Sequence, residues 1–334
     1  MKARILPPTL AQLRRMAAVL RRGGLVAVPT ETVYGLAANA LDARACRKIF
    51  QAKRRPADDP LIVHVPDLAA AEKLAGWNDA ARRAAGKFWP GPLTIVLPKK
   101  PIVPGIVTSG GGTVALRCPA HPVMRRLLKL AGVPLAAPSA NPFGYVSPTT
   151  AAHVGDGLGN RIEWILDGGP CPVGVESTIV DLRSPGRARI LRPGSITALQ
   201  LRAVLKGGPV RQAGRVGKDQ PLAPGMMPRH YSPRTPLRLV SAVQMRRVHI
   251  MRPAGTALVF FRKPARTTGA GRDVYWLTRT RRGEEAARAL YRVLRELDRR
   301  GFKRAFIERA PDSAGPLAGA INDRLRRAAS RAKI

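Results

Sequence analysis

The chain has 334 residues, 45% of them hydrophobic, and a formal net charge of +37. Its length exceeds that of one typical domain, and no apolar run approaches the roughly 20 residues of a membrane span, which excludes a helical membrane protein. Cys46, Cys118 and Cys171 form no CxxC pair and the five histidines no zinc pattern, which excludes a zinc ribbon and fits a reduced, cytoplasmic setting.

The first 30 residues are basic and free of acid, but they contain no serine and run into a strand-like segment. They read as an ordinary helix, Thr9 to Arg22, and not as a transit peptide; the apolar stretch Met16 to Leu20 is too short for a signal peptide. Five runs then read as strands: Gly24 to Pro29, Leu61 to Val65, Leu93 to Leu97, Thr113 to Arg117 and Ser177 to Leu182. Each is β-branched or aliphatic and bounded by Gly, Pro or polar residues. Asp42 as N-cap predicts a helix through Lys53 with Cys46, Ile49 and Phe50 on one face, and His121 to Leu130 predicts another. This alternation predicts a mixed α/β domain over residues 1–205. Residues 206–236 are rich in Gly, Pro and basic residues without a periodic apolar face, and read as a linker. Beyond it, Leu237 to Val240, Thr256 to Phe261 and Arg272 to Leu277 read as strands. Glu284 to Arg300 reads as a helix, with Leu290, Leu294 and Leu297 on one face and Glu284 and Glu285 in the first turn, where the helix dipole favours them. A smaller α/β domain is expected over 237–334.

No Walker loop is present, and the glycine runs at 110–112 and 168–169 lack the strand-then-helix context of a dinucleotide fingerprint. Phosphates would have to be held by converging cations, hydroxyls and backbone N–H groups. Five segments offer these. PTETVYGL (Pro29 to Leu36) follows a strand, ends in a glycine turn and sets three hydroxyl residues beside a carboxylate; KRRPADDPLIVHV (Lys53 to Val65) leads three cations into a proline-bounded loop and a strand carrying His64. PSANPFGYVSPT (Pro138 to Thr149), GVEST (Gly174 to Thr178) and LRPG (Leu191 to Gly194) complete the set. A histidine in an aliphatic strand is ordinarily a half-buried, hydrogen-bonded one, and a triple basic run is ordinarily a solvated helix end. Arg117, closing an apolar strand, needs an anion if it is buried.

PTETVYGL, IFQAKRRPADDPLIVHV, FWPGPLTIVL, TVALRCPAHP, PLAAPSAN, SPT, GVESTIVDL and LRPG, in that order, resemble the signature segments of the YrdC-type domain of the threonylcarbamoyl-AMP synthase family. APGMMPRHYSP (Ala223 to Pro233) resembles the element that joins this domain to a C-terminal accessory domain in the family's long form. The resemblance implies a YrdC-like open twisted mixed sheet with helices, followed by a smaller Rossmann-like α/β domain. It implies a nucleotidyltransferase that condenses L-threonine, bicarbonate and ATP, accompanied by Mg2+, into L-threonylcarbamoyl-AMP and pyrophosphate. That is the first step of threonylcarbamoyl modification of tRNA, and the product passes to downstream threonylcarbamoyl-transfer proteins. Residue by residue, Lys53, Arg55, Ser139 and Asn141 match the quartet around the nucleotide. Thr113, Ser147, Arg192 and Tyr231 match further ATP contacts, and Thr32, His64, Arg117, Ala137 and Ser177 match positions around threonine. Lys53, Arg55 and His64 are the residues expected to act in catalysis. Asp59, an ATP contact by position, stands where the family usually has Asn; a second carboxylate beside phosphates costs Coulomb energy unless a metal or an arginine compensates it. The linker, ending in Arg229, His230 and Tyr231, is expected to act as a lid that excludes water.

A rival reading is an RNA-binding module of YrdC-like fold without adenylation activity. Residues 1–200 hold 27 Lys+Arg against 12 Asp+Glu, and residues 201–334 hold 31 against 9. The basic residues spread over helices and loops without interleaved aromatics, whereas PTETVYGL, PSAN and GVEST are compact polar segments suited to a small ligand. A carbamoyltransferase with a YrdC-like domain would bring zinc-binding cysteine pairs, which this sequence lacks. If the basic excess is solvated surface, tRNA contact is weak: affinity is expected to fall tenfold or more between about 0.05 and 0.2 M salt and to be equal for RNAs of similar length. A gel-shift titration giving a salt-resistant complex selective for one tRNA would make the RNA module the primary reading.

Overall fold

The computed structural model describes residues 2–184, 186–206, 209–212, 231–251, 253–264 and 273–330, and local sequence signals set many of its element ends. Arg4–Leu6 forms β1, and Thr9, accepting from the Gln12 N–H, starts α1 at Leu10–Arg21. β2 (Val26–Val28) and β3 (Gly35–Asn39) follow, and Asp42 accepts from the N–H groups of Arg44 and Ala45 to open α2 (Ala43–Lys53). Next come β4 (Ile62–His64), α3 (Leu68–Glu72), α4 (Asp79–Phe88), β5 (Leu93–Pro98) and β6 (Thr113–Arg117). α5 (Pro122–Ala131), β7 (Leu135–Ala136), α6 (Ala151–Leu158) and β8 (Trp164–Leu166) lead to β9 (Thr178–Asp181), β10 (Arg189–Arg192), α7 (Ala198–Leu205) and β11 (Arg211–Gln212).

These strands form one mixed sheet in the order β1-β8-β2-β3-β7-β4-β6-β5-β9-β10-β11. Its antiparallel neighbours are β2/β3, β3/β7, β7/β4, β6/β5 and β9/β10; the others run parallel. PTETVYGL does not end in a glycine turn: Gly35 opens β3 opposite Val28 and also bridges to Ser139. A Cβ at Gly35 would lie 3.2 Å from that of Ala137, so the missing side chain lets the two backbones approach.

Side chains alternate across the strands, so the two faces carry different cores. Leu13, Met16 and Leu20 of α1 and Met124, Leu127 and Leu128 of α5 pack with Val26, Val28 and Ala37. Ile49 of α2 and Ala84 of α4 pack with Leu36, Val63, Ile95 and Leu116. A third, small strip of Ile62, Val96, Ala115, Ile179 and Leu191 is made of strand residues alone. Register places His64, Arg117 and Thr94 on its face, since Ile62 pairs with Ala115, Val96 with Ala115, and Thr94 with Ile179.

By its contacts the chain divides into two units, the second made of residues 144–147 and 173–175 together with the described residues from Tyr231 onward. Its strands β12 (Leu237–Val240), β13 (Thr256–Arg262), β14 (Val274–Thr278) and β15 (Arg304–Glu308) are all parallel, in the order β12-β15-β13-β14. Helices α8 (Ala242–Met251), α9 (Gly283–Arg300) and α10 (Ala318–Ala329) flank this sheet. The α9 stripe, including Leu290, Leu294 and Leu297, is fully buried. Tyr145 donates to Asp298 at 2.8 Å, Arg295 donates to the Val146 carbonyl at 2.6 Å, and a Cβ on Gly174 (φ +83°) would meet the Ala287 carbonyl at 2.5 Å. Among the described residues no helix is long and apolar enough to cross a membrane.

Gly194, which closes LRPG, has the tightest backbone approach near the Ser177 segment: a Cβ would lie 2.3 Å from the Thr178 nitrogen and 2.8 Å from the Glu176 carbonyl. Gly194→Ala is therefore expected to destabilise the first unit by about 1–3 kcal/mol. Gly76→Ala, where a Cβ meets nothing within 4 Å, is the control expected to leave the urea midpoint in place. Equal midpoints for the two variants would remove the close-approach account.

Candidate active site

The triple basic run is divided by one backbone reversal. Helix α2 ends at Lys53; Arg54 takes the left-handed conformation (φ 50°) at the C-cap and stays exposed, while Lys53 and Arg55 are both buried. The Lys53 ammonium donates to the carbonyls of Ser139 and Asn141. No described carboxylate lies within ion-pair distance of it. Burial, reinforced by the Arg55 charge, pushes the Lys53 pKa well down, and Asp59 opposes this.

Arg55 donates to the carbonyls of Asp59 and Pro60 at 3.1 and 2.7 Å, and its Nη2 lies 2.9 Å from Asp59 Oδ2. Both side chains are out of water. Asp58 is exposed and Asp59 fully buried, so of the two aspartates only Asp59 needs a compensating charge, and Arg55 supplies it. Burial raises the Asp59 pKa, while Arg55, Lys53 and Arg192 pull it down. Three cations thus act on one carboxylate.

The second group gathers on the strip-bearing face of the sheet. The β4/β6 register sets His64 beside Arg117. Arg117 donates from Nη1 to Thr32 Oγ1 at 2.9 Å, and its Nη2 lies 2.7 Å from Glu31 Oε1. The Thr30 hydroxyl donates to the Val33 carbonyl at 2.6 Å and accepts from the N–H groups of Thr32 and Val33, folding the β2–β3 loop so that Thr32 faces Arg117. Ser177 shares a 2.8 Å hydrogen bond with Thr94 and accepts from Arg192 Nη2 at 3.1 Å. His64 is buried with Nδ1 unpartnered; burial, then the Arg117 charge, push its pKa from the ordinary 6.5 to about 3. It is a neutral hydrogen-bonding group near pH 7 and a weak base. Among the described residues no three His, Cys, Asp or Glu could together hold a metal. The cysteines are free and buried, and burial pushes the Cys46 and Cys171 thiols up to about 12 and Cys118 to about 11.

Of the other residues picked from sequence, Thr113 begins β6 on the Arg117 face, and the Ala137 N–H donates to the Ile62 carbonyl at 3.0 Å. Ser147 and Tyr231 belong to the second unit. Tyr231 is fully buried there, in a left-handed conformation (φ 62°), its ring stacked on Tyr291 at 6.0 Å and capped by Arg324 at 5.1 Å. Arg229 and His230 lie outside the described residues. Sequence reasoning did not single out Thr94 or Glu31. The signal was available: a lone hydroxyl in the aliphatic run LTIVL, and the one carboxylate of PTETVYGL.

A wide mixed sheet with buried cations and hydroxyls on one face, joined to an all-parallel α/β unit, is the long-form YrdC-type class. Residues 18–194 match the family described as telomere recombination, and 196–330 match the threonylcarbamoyl-AMP synthase C-terminal domain. The chain is 41% identical to the threonylcarbamoyl-AMP synthase of Pyrococcus abyssi, over 95% of this chain and 94% of that one. It is 40% identical to that of Bacillus subtilis, over 95% and 93%. The crystal structure of the P. abyssi protein complexed with L-threonine superposes with a TM-score of 0.89 at 38% identity, covering 98% of both chains. The chain belongs to the threonylcarbamoyl-AMP synthase family.

Because folded His64 resists protonation, the unfolded chain takes up a proton that the native one does not once the pH falls below 6.5, and stability declines from there toward about pH 3. His64→Asn removes this contribution. Its unfolding free energy is expected to fall less steeply than wild type over that window, by up to about 1.4 kcal/mol per pH unit. Urea melts at several pH values check this, and parallel curves would contradict it.

Proposed function

We propose that this protein is an L-threonylcarbamoyladenylate synthase: it condenses L-threonine, bicarbonate and ATP into L-threonylcarbamoyl-AMP and pyrophosphate, opening the formation of threonylcarbamoyladenosine in tRNA. In class it is a nucleotidyltransferase, working in the cytoplasm. The observation that carries this reading is the buried Lys53 ammonium, held by backbone carbonyls beside the Arg55–Asp59 pair, within a chain so closely related to named threonylcarbamoyl-AMP synthases.

The threonine ammonium gives up a proton, and the free amine condenses with bicarbonate to a carbamate with loss of water. A carbamate oxygen then attacks the α-phosphorus of ATP, and the bond to the β-phosphate oxygen breaks with departure of pyrophosphate. Every stage concentrates negative charge, so positioning and electrostatic stabilisation supply the catalysis. Lys53, Arg55 and Arg192 face that charge, with Asp59 fixing Arg55. Magnesium would accompany the triphosphate and offset part of its charge; among the described residues no three His, Cys, Asp or Glu stand together to hold it on the protein. Arg117 orients the threonine carboxylate, while Thr32, Ser177 and the Ala137 backbone read the rest of the amino acid, and neutral His64 offers a hydrogen bond. For Thr113, Ser147, Tyr231 and the side chains of Ser139 and Asn141, the ATP assignment rests on the resemblance of their segments. We assign catalysis to 1–205 and an accessory role to 237–334, with the product consumed by threonylcarbamoyl-transfer proteins; of the segment 206–236, expected to act as a lid, Arg211–Gln212 extend the first sheet, the described residues from Tyr231 belong to the second unit, and 213–230 lie outside the described residues.

Lys53→Ala is expected to lower pyrophosphate release at least 100-fold with the fold intact. Arg55→Ala alone would strand buried Asp59, so the double variant Arg55→Ala/Asp59→Asn is its proper form and is expected to lose as much. Pyrophosphate is measured with ATP, bicarbonate, magnesium and each amino acid in turn, and the adenylate is identified by mass. Near-normal turnover by both variants would withdraw the phosphate-site assignment.

A further inference from the structure

Glu31 lies in the β2–β3 loop between the Thr30 that folds the loop and the Thr32 that meets Arg117, and it is 6% exposed. Its Oε1 touches Arg117 Nη2 at 2.7 Å, yet both carboxylate oxygens and that Nη2 lack a hydrogen-bond partner among the described residues. The two charges meet without a directed hydrogen bond. The other titratable groups near Glu31 bring no cation: burial pushes His121 down and holds the Cys118 and Cys171 thiols un-ionised. A carboxylate kept out of water is costly unless donors are aimed at it, and the described residues aim none. A ligand is the natural source.

An α-amino acid presents a carboxylate and an ammonium on one carbon. Arg117, fixed through Nη1 by Thr32, offers the cation, and Glu31 offers the carboxylate immediately beside it. We propose that Glu31 binds the substrate's ammonium group, so that Glu31 and Arg117 together recognise the zwitterion of a free amino acid and reject carboxylic acids that lack an amine. This inference rests on the reading of L-threonine as substrate. It adds a specificity-determining residue that acts before carbamate formation, while the nitrogen still carries its charge. A site built to satisfy a substrate N–H rejects the analogue without one far more strongly than an apolar pocket rejects a missing methylene.

The test pairs a variant with a ligand. Binding of L-threonine and of its des-amino analogue, (R)-3-hydroxybutanoate, is measured by ligand-observed NMR for wild type and Glu31→Gln, with thermal melts to verify folding. L-threonine is expected to weaken about 30-fold or more in the variant, whereas the des-amino acid changes less than about threefold, because it never used the carboxylate. MgATP affinity is expected to stay unchanged. Equal weakening of both ligands would mean that Glu31 only holds Arg117 in place, and no weakening of either would mean that it does nothing at the site; each overturns the proposal. Wild type that fails to bind L-threonine at all overturns the substrate reading itself. Should Glu31→Gln not fold, Glu31→Asp carries the comparison: a loss confined to the ligand with an amine supports the proposal, and a loss shared by both ligands defeats it.

Discussion

Keeping cations out of water is the constraint on which the first unit is built. An ammonium or guanidinium taken from solvent must be repaid by oxygen, or it forces the chain open. Lys53 receives the Ser139 and Asn141 carbonyls, which requires the PSAN segment to lie against the end of α2. That in turn requires Gly35, because a side chain there would push the same segment away. Arg55 receives Asp59, and Arg117 receives Thr32 and Glu31. Segments far apart in sequence are thus drawn together by the need to solvate buried cations with protein oxygen.

The same logic explains why buried polar side chains occupy one face of the central strands. On the β4–β6–β5–β9–β10 part of the sheet, the apolar strip contains only strand residues, Ile62, Val96, Ala115, Ile179 and Leu191. Around it the alternation of the strands delivers His64, Arg117, Thr94 and Ser177. Elsewhere that alternation feeds aliphatic cores beneath α1 and α5 or around α2 and α4. Pattern and site therefore come from a single property of extended chain, its period of two.

Much of this was legible in the sequence where a local rule applied. Asp42 and Thr9 marked helix starts, and the leucine stripe of α9 marked its buried face. The strands β1, β3, β8, β10 and β15 were not: segments such as Arg4–Leu6 and Gly35–Asn39 show neither a long β-branched run nor a clear period, and pairing across the sheet decides their state. At the site, the polar residue types in PTETVYGL and KRRPADDP stood out, and the structure buries Thr30, Glu31, Thr32, Lys53, Arg55 and Asp59. Nothing local distinguished Arg54 from its neighbours, since its exposure follows from one left-handed residue at the end of α2. The roles of Glu31 and Thr94 depend on contacts with residues 86 and 83 positions away, which no window of sequence contains.

The two short excursions that belong to the second unit bear on how the protein is made. Val146 and Arg295 are 149 residues apart, and Tyr145 and Asp298 are 153 apart. A ribosome adds roughly 5–20 residues per second, so residues 144–147 emerge on the order of ten seconds before the helix that will hold them. During that interval the first unit can assemble its cations and carbonyls, but these two loops have no surface to rest on. Helix α9 therefore completes contacts of segments laid down near the middle of the chain, and its emergence, not that of residue 205, is the earliest moment at which Tyr145 and Val146 can meet their partners.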